Sequence, residues 1–270
     1  MFKFLRGVGG ERAFRASTIS ALVLLAVFFV GILASLLAYT EWDTLVQALL
    51  SKEILFAIRL SITTATIATV ISILIAVPVA HAISRNVFPG KDIVDSLLDL
   101  PIVISPIALG AALLVFFNTP VGAAIDDNVL KFVFAVPGIV LAQITVISAL
   151  AIRLLKSTFD SIDPRYEQVA RTLGCSKPEA FFRVTLPLAR NGLIAAGILT
   201  WARAVGEFGA TVTLAGATAM RTETLPIAIF LSLASADVEK AVAVIFVLII
   251  IAVIALLVIR KIIGRRYQYD

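Results

Sequence analysis

Gln168-Val169-Ala170-Arg171-Thr172-Leu173-Gly174, followed after nine residues by Val184-Thr185-Leu186-Pro187, sits in the one strongly polar stretch, between Ile152 and Leu193, of an otherwise apolar chain. Read locally, it is a short helix with a built-in stop. Asp163 can cap free backbone N–H groups and Pro164 tolerates a first helical position, so the chain starts to wind there. Gly174 ends the run Tyr166–Leu173, where a residue able to turn left-handed is wanted. Ser176-Lys177-Pro178 opens a second helix by the same logic, with Phe181, Phe182 and Leu186 as its apolar stripe, and Pro187 marks the start of a membrane helix. Exposed aromatics beside Arg171, Lys177 and Arg183 suit docking into a groove of a partner protein. The competing reading is an amphipathic helix lying at the membrane interface between two spans.

Working outward, the rest of the chain is built for lipid. Sixty per cent of the 270 residues are hydrophobic and the mean hydropathy is +1.03, which excludes a soluble globular domain and a disordered chain. Ala16–Thr40, Leu60–Ser84, Leu100–Ile125, Phe132–Ile152 and Ala241–Ile259 are free of Asp, Glu, Lys and Arg, and a bilayer core needs about 20 mainly apolar residues per helix. A further span, fifth in chain order, runs from Leu188 to Ala219 and carries Arg190, Arg203 and Glu207. The expected fold is therefore an all-α integral membrane protein, one polytopic domain over residues 1–270. Six transmembrane helices are expected, with a cytoplasmic loop of about residues 156–187 between the fourth and fifth. Asn118-Thr119-Pro120 breaks the third apolar run and predicts an external loop there.

Charge sets the orientation. The chain has 23 Lys and Arg against 18 Asp and Glu, a balance that suits nucleic acid until its distribution is read. With the N-terminus inside, Lys3, Arg6, Arg12, Arg15, Arg85 and Lys91 fall in the cytoplasm. So do Arg153, Lys156, Arg165, Arg171, Lys177, Arg183 and Arg190 of the polar loop, and Arg260, Lys261, Arg265 and Arg266 of the tail. This is the positive-inside pattern of a multi-pass membrane protein with both termini cytoplasmic. The outside loops carry Glu41, Asp43, Asp126, Asp127, Asp237 and Glu239. The partner of the surface is the lipid bilayer, and no nucleic acid is expected.

Little catalytic chemistry is available. No Gly-x-x-x-x-Gly-Lys-[Ser/Thr] phosphate loop occurs, and Gly7-Val8-Gly9-Gly10 is not followed by Lys-Ser/Thr, so usual ATP binding is excluded. Cys175 and His81 stand alone, which rules out an internal disulfide and leaves too few residues for a metal cluster or a catalytic triad. His81, near the inner end of the second span, reads as a packed or interfacial residue. Active work by this chain would draw on a partner or an ion gradient.

The fifth span is the informative membrane segment. Arg203 and Glu207 are four residues apart, hence neighbours on one helix face, and intramembrane ionisable groups are costly unless paired or functional. Ala202, Gly206 and Ala210 make a small-residue stripe that permits close helix–helix approach. The sequence leaves two readings open: a pore-lining or gating helix crossing its symmetry mate, or an internal salt bridge with ordinary packing. A path for a tetrahedral dianion needs hydrogen-bond donors more than fixed cations. Ser61, Thr63, Thr64, Thr66, Thr69, Ser105, Thr211 and Thr213 are the candidates, with their own helix backbone as the competing use. Pro101 and Pro106 are expected to kink the third span.

The loop resembles the signature of ABC importer permeases, Glu-Ala-Ala, three residues, Gly, nine residues, Ile-x-Leu-Pro. Gly174 and Leu186-Pro187 fall at the family spacing. Gln168 stands where the family has Glu, Val169 replaces the first Ala, Ala170 matches the second, and Glu167 lies one place earlier as an alternative acid. Arg203-Ala-Val-Gly-Glu-Phe-Gly-Ala-Thr-Val212, with Glu223-Thr-Leu-Pro-Ile-Ala-Ile229, is similar to molybdate-type permeases, of which sulfate permeases are close relatives.

The resemblance implies a permease homodimer, two separate ATPase subunits that carry ATP and Mg on the cytoplasmic side, and an external oxyanion-binding protein. This chain itself would hold no cofactor, would not be an enzyme, and would move molybdate or tungstate by alternating access in the cell membrane. Glu167, Gln168, Ala170, Arg171, Gly174, Leu186 and Pro187 are implied as the ATPase-coupling loop. Arg203, Gly206, Glu207, Gly209, Thr211, Thr213 and Ser105 are the candidates for gate and path. The alternatives are a sulfate permease, an ion-coupled secondary transporter using Arg203 and Glu207, and a non-transporting membrane scaffold.

Overall fold

The computed structural model describes residues 8–39 and 42–264, with side chains over 11–36 and 46–261. The expected sidedness of Lys3, Arg6, Glu41, Arg265 and Arg266, and the side chain of Asp43, lie outside the described residues. The chain divides into two packing units, Met1–Ala48 and Leu49–Asp270.

In the first unit, α1 (Val8–Tyr39) is followed by α2 (Trp42–Leu49). From Ala16 to Ser35 α1 carries no charge and is exposed on every side, with Leu22, Leu24 and Val27 among the exposed residues. A helix without a polar face is at home in lipid rather than water.

The second unit is a helical bundle around α3 (Lys52–Arg85) and α7 (Val136–Asp160). Ser51 caps α3, its hydroxyl accepting from the Ile54 amide. Alanines let the helices close on each other: Ala76 and Ala80 of α3 meet Ala151, Leu155 and Phe159 of α7 and Ala189 and Ala196 of α10 (Leu186–Val205). In lipid, where apolar side chains gain nothing by leaving the solvent, such close small-residue packing is what holds helices together.

The third apolar run is not one span from Leu100 to Ile125. It is α4 (Lys91–Val103) and α5 (Pro106–Phe117), bent by 108°. The cause is local. A residue before proline is pushed out of the helical region, and Ser105 is extended at φ −61°, ψ 142° while its hydroxyl accepts the Ala108 amide. Pro106 therefore breaks the span; Pro101 sits inside α4. The external loop expected at Asn118-Thr119-Pro120 contains a short helix, α6 (Pro120–Asn128), capped by Thr119. Asp126 then clasps the turn back into α7, accepting from the Phe132 and Val133 amides at 2.6 and 3.0 Å and pairing with Lys131 at 2.5 Å.

Beyond α7 come α8 (Arg165–Thr172) and α9 (Lys177–Ala180). Then follow a π-helical turn (Phe181–Thr185), α10, α11 (Gly209–Ala215), α12 (Leu225–Ala234) and α13 (Val238–Gly264). Two sequence expectations are corrected here. Pro187 does not begin a separate helix: Lys177–Val205 is continuous. The π turn absorbs the proline, with the Leu186 amide donating five residues back to the Phe181 carbonyl, a familiar way of carrying a helix past a residue that cannot donate. The fifth span does not run unbroken to Ala219 but bends by 56° between α10 and α11. α12, at ten residues too short to cross a bilayer core, was not foreseen at all. Its first amide, from Leu225, is taken by the Ser61 hydroxyl of α3 at 2.7 Å. Among the described residues, four helices are long and apolar enough to cross a membrane, and up to six spans if each bent pair is one, the number read from the sequence.

Candidate functional site

Two regions gather the residues singled out above. In the loop, Asp163 accepts the Arg165 amide at 2.9 Å and so starts α8. Gly174, at φ +95°, stops it. The Cys175 amide donates to the Ala170 carbonyl and the Gly174 amide to the Arg171 carbonyl, both at 3.1 Å. These are the paired bonds of a Schellman stop. Ser176 and Glu179 form a reciprocal capping box that starts α9.

α8 has two working faces. Tyr166, Val169 and Leu173, 57%, 58% and 80% exposed, form an apolar ridge left uncovered among the described residues. At about 100° per residue, Glu167, Gln168 and Arg171 lie on the opposite side. Ala170 is buried, while Gln168, Arg171, Gly174 and Pro187 are exposed and Leu186 is half-buried.

Glu167, not Gln168, turns inward. Its Oε1 accepts from the Thr185 hydroxyl at 2.6 Å and Arg85 Nε at 3.1 Å, and lies 3.4 Å from His81 Nε2. Arg85 also donates to the Ile162 carbonyl at 2.8 Å. Burial pushes the Glu167 carboxyl up, but the hydrogen bonds from Thr185, Arg85 and His81 together outweigh it and hold the group below its ordinary range. His81 packs edge-on against Phe159 and Phe181, the packed role read from the sequence, with the carboxylate contact added. One carboxylate thus ties α8 to the C-terminal end of α3 and to the π turn that precedes α10. Sequence reasoning missed Arg85 and Thr185 as partners, 82 and 18 residues away from Glu167, and no local signal pointed to them, since Arg171 in its own helix offered a nearer base.

The second region is the break between α10 and α11. Arg203 Nη1 lies 2.7 Å from Glu207 Oε2, and Glu207 Oε1 accepts the Ala210 amide at 2.9 Å. The Ala204 carbonyl accepts from the Glu207 amide at 3.1 Å and, in addition, from the buried Gln143 side-chain amide of α7 at 3.0 Å. Gln143 was not anticipated.

The stripe Ala202, Gly206, Ala210 does not face one partner. Ala210 is buried against α5, where a Cβ on Gly110 would stand 2.7 Å from the Ala210 carbonyl oxygen, because the bend rotates α11 away from the α10 face. Gly206 remains exposed with open space beside it. Gly209 is pressed against Ile107 and Pro106.

Of the proposed donors, Thr64, Thr66 and Thr213 bond to their own helix backbone, and Ser105 caps α5. The hydroxyls of Thr69, Ser72, Thr200 and Thr211 are buried without a partner among the described residues.

A family model for binding-protein-dependent transport system inner membrane components matches residues 68–269. The chain is 37% identical over 209 residues to the probable molybdenum ABC transporter permease protein of Haloferax volcanii, covering 77% of this chain and 76% of that one. It is 32% identical over 226 residues to a sulfate transport system permease protein of Synechocystis, covering 83% and 82%. Its fold matches a chain of the crystal structure of a bacterial alginate ABC transporter in complex with an alginate pentasaccharide-bound periplasmic protein. The TM-score is 0.74 at 18% identity, over 98% of each chain.

Proposed function

The chain belongs to the family of binding-protein-dependent transport system inner membrane components, and from that premise we propose that it carries molybdate or tungstate into the cell. It is a multi-pass permease subunit. A binding protein outside delivers the dianion, two ATPase subunits dock inside, and two copies of this chain form the path between them. Both termini face the cytoplasm, and ATP and Mg belong to the ATPase subunits.

The observation that carries this reading is the uncovered ridge Tyr166, Val169, Leu173 on a helix whose back is fastened by Glu167 to α3 and to the start of α10. A short amphipathic helix with an apolar face and no intramolecular cover fits a groove on a partner. A push on α8 passes through the Glu167 hydrogen bonds into two membrane helices. Molybdate and tungstate share charge, shape and nearly size, so donor placement that accepts one accepts the other. Sulfate is a smaller dianion and the natural competitor.

The test is uptake of labelled molybdate into proteoliposomes holding the permease, its ATPase and the binding protein. Uptake is expected to require ATP, to persist when proton and sodium gradients are collapsed, and to be competed by tungstate well ahead of sulfate. Gradient-driven, ATP-independent uptake would instead favour a secondary transporter. The Glu207 carboxylate already holds Arg203 and the Ala210 amide, which speaks for a structural pair rather than an ion-coupling one.

A further inference from the structure

Two cavities meet at His81 and Lys177. One is a polar cleft of about 310 Å³ that also takes in Arg85, Glu167 and Arg171. The other is a groove of about 280 Å³ between Pro78, Pro178, Phe181 and Phe182. The cleft is cationic. Arg85 is engaged by Glu167 and the Ile162 carbonyl, whereas Arg171 and Lys177 make no ion pair among the described residues. The groove is apolar and open, with Phe182 63% exposed. Both lie at the end of α3, within its last two turns, where the uncharged stretch of the span meets the basic loop.

A free anion would use only the cleft, and an uncharged chain only the groove. The two together fit an amphiphile whose charged head and acyl chain are joined, and positive charge beside an apolar groove at the cytoplasmic boundary is the chemistry that retains acidic lipids. We propose that this double cavity binds one anionic phospholipid. Its phosphate lies between Arg171 and Lys177, and an acyl chain runs along Phe182 and Pro78. The site lies on the side of α8 opposite the ridge Tyr166, Val169, Leu173, so the lipid and a partner on the ridge occupy α8 together. The lipid then bridges α3, α8 and α9 beside the Glu167 hydrogen bonds. Placing it in the inner leaflet rests on the topology proposed above; its binding does not.

The experiment reconstitutes the permease with its ATPase in vesicles of equimolar dioleoyl phosphatidylcholine and dioleoyl phosphatidylglycerol, extracts the complex in mild detergent and weighs retained lipid by native mass spectrometry. The wild type is expected to keep phosphatidylglycerol over phosphatidylcholine. The double variant Arg171→Gln, Lys177→Gln should lose that preference by roughly thirtyfold, two surface cations' worth, while Arg171→Lys, Lys177→Arg keeps it. Phe182→Ser should weaken retention of the dioleoyl lipid. If the double variant does not fold, wild type challenged with dihexanoyl phosphatidylglycerol still decides, since the short-chain lipid should be held far less tightly. Equal retention of both headgroups, undiminished retention in the double variant, or complete displacement of the lipid by excess inorganic phosphate would overturn the proposal, the last by making the cleft a site for free anions.

Discussion

Arg203, in the last turn of α10, holds Glu207 across the helix break at 2.7 Å, and the same carboxylate accepts the Ala210 amide that opens α11. The pair is a clamp on a bend rather than a rung on one helix. Removing Arg203 would strand the fully buried Glu207 carboxylate without its counter-charge, at about 3–5 kcal/mol, whereas removing Glu207 leaves an arginine that is 38% exposed.

Arg203→Ala is therefore expected to destabilise more than Glu207→Ala, and Glu207→Gln, which can still accept from Ala210, less than either. The charge swap Arg203→Glu with Glu207→Arg should recover little, because arginine cannot accept the Ala210 amide. Thermal unfolding of the detergent-solubilised protein ranks the four; near-complete recovery in the swap would reduce the clamp to a simple ion pair.

Gln143→Leu should remove one of the donors to the Ala204 carbonyl while the Glu207 amide stays, at a cost of about 0.5–1.5 kcal/mol, with little change in side-chain volume. Because the Gln143 bond ties the end of α10 to α7, the variant should let the α10–α11 bend vary more widely. A spin-label distance across residues 198 and 213 would read that change.

Gly174→Val is expected to uncouple rather than unfold. A Cβ at Gly174 meets no atom within 4 Å, so the penalty is backbone strain at φ +95°, on the order of 1–3 kcal/mol. Membrane yield should hold while copurification with the ATPase and its stimulation fall. Wild-type stimulation would argue against α8 as the docking element.

The Glu167 carboxyl titrates below its ordinary range, so the stability it gives the loop is present above the unfolded value and is lost as pH falls through the lowered folded value. ATPase coupling should weaken on the acid side of the ordinary carboxylate range. Glu167→Gln should be poorly coupled at neutral pH and lose that acid dependence, which a pH profile of transport per ATP hydrolysed would resolve.

If two copies meet along α10, a cysteine at the exposed Gly206 should crosslink between chains in a Cys175→Ser background, and one at Ala210 should not, since Ala210 is covered by α5 of its own chain. Efficient crosslinking at Ala210 would mean that α5 and α11 separate in the dimer.

Local chemistry made α8 readable in advance: Asp163, Gly174 and Ser176 act within a few residues of themselves, and each does in space what its type and position imply. The bend at Ser105 was half legible. Pro106 announced a disturbance, but its size follows from how α5 packs onto α11 through Gly110. The Glu167 cluster was not legible, since His81 and Arg85 stand 86 and 82 residues away and no periodicity joins them. Gln143 was hidden for the same reason, and α12 because a ten-residue apolar helix falls below any spanning window.

The unbroken helix from Lys177 to Val205 gives the molecule a stiff arm. At 1.5 Å per residue its 29 residues measure about 43 Å, and a tilt of roughly 5° about one end displaces the other by about 4 Å over that length. The amplification is geometric and needs no soft joint along the way. A displacement too small to disturb the α8 stop could therefore open or shut the far end, where Gly206 first allows the chain to flex.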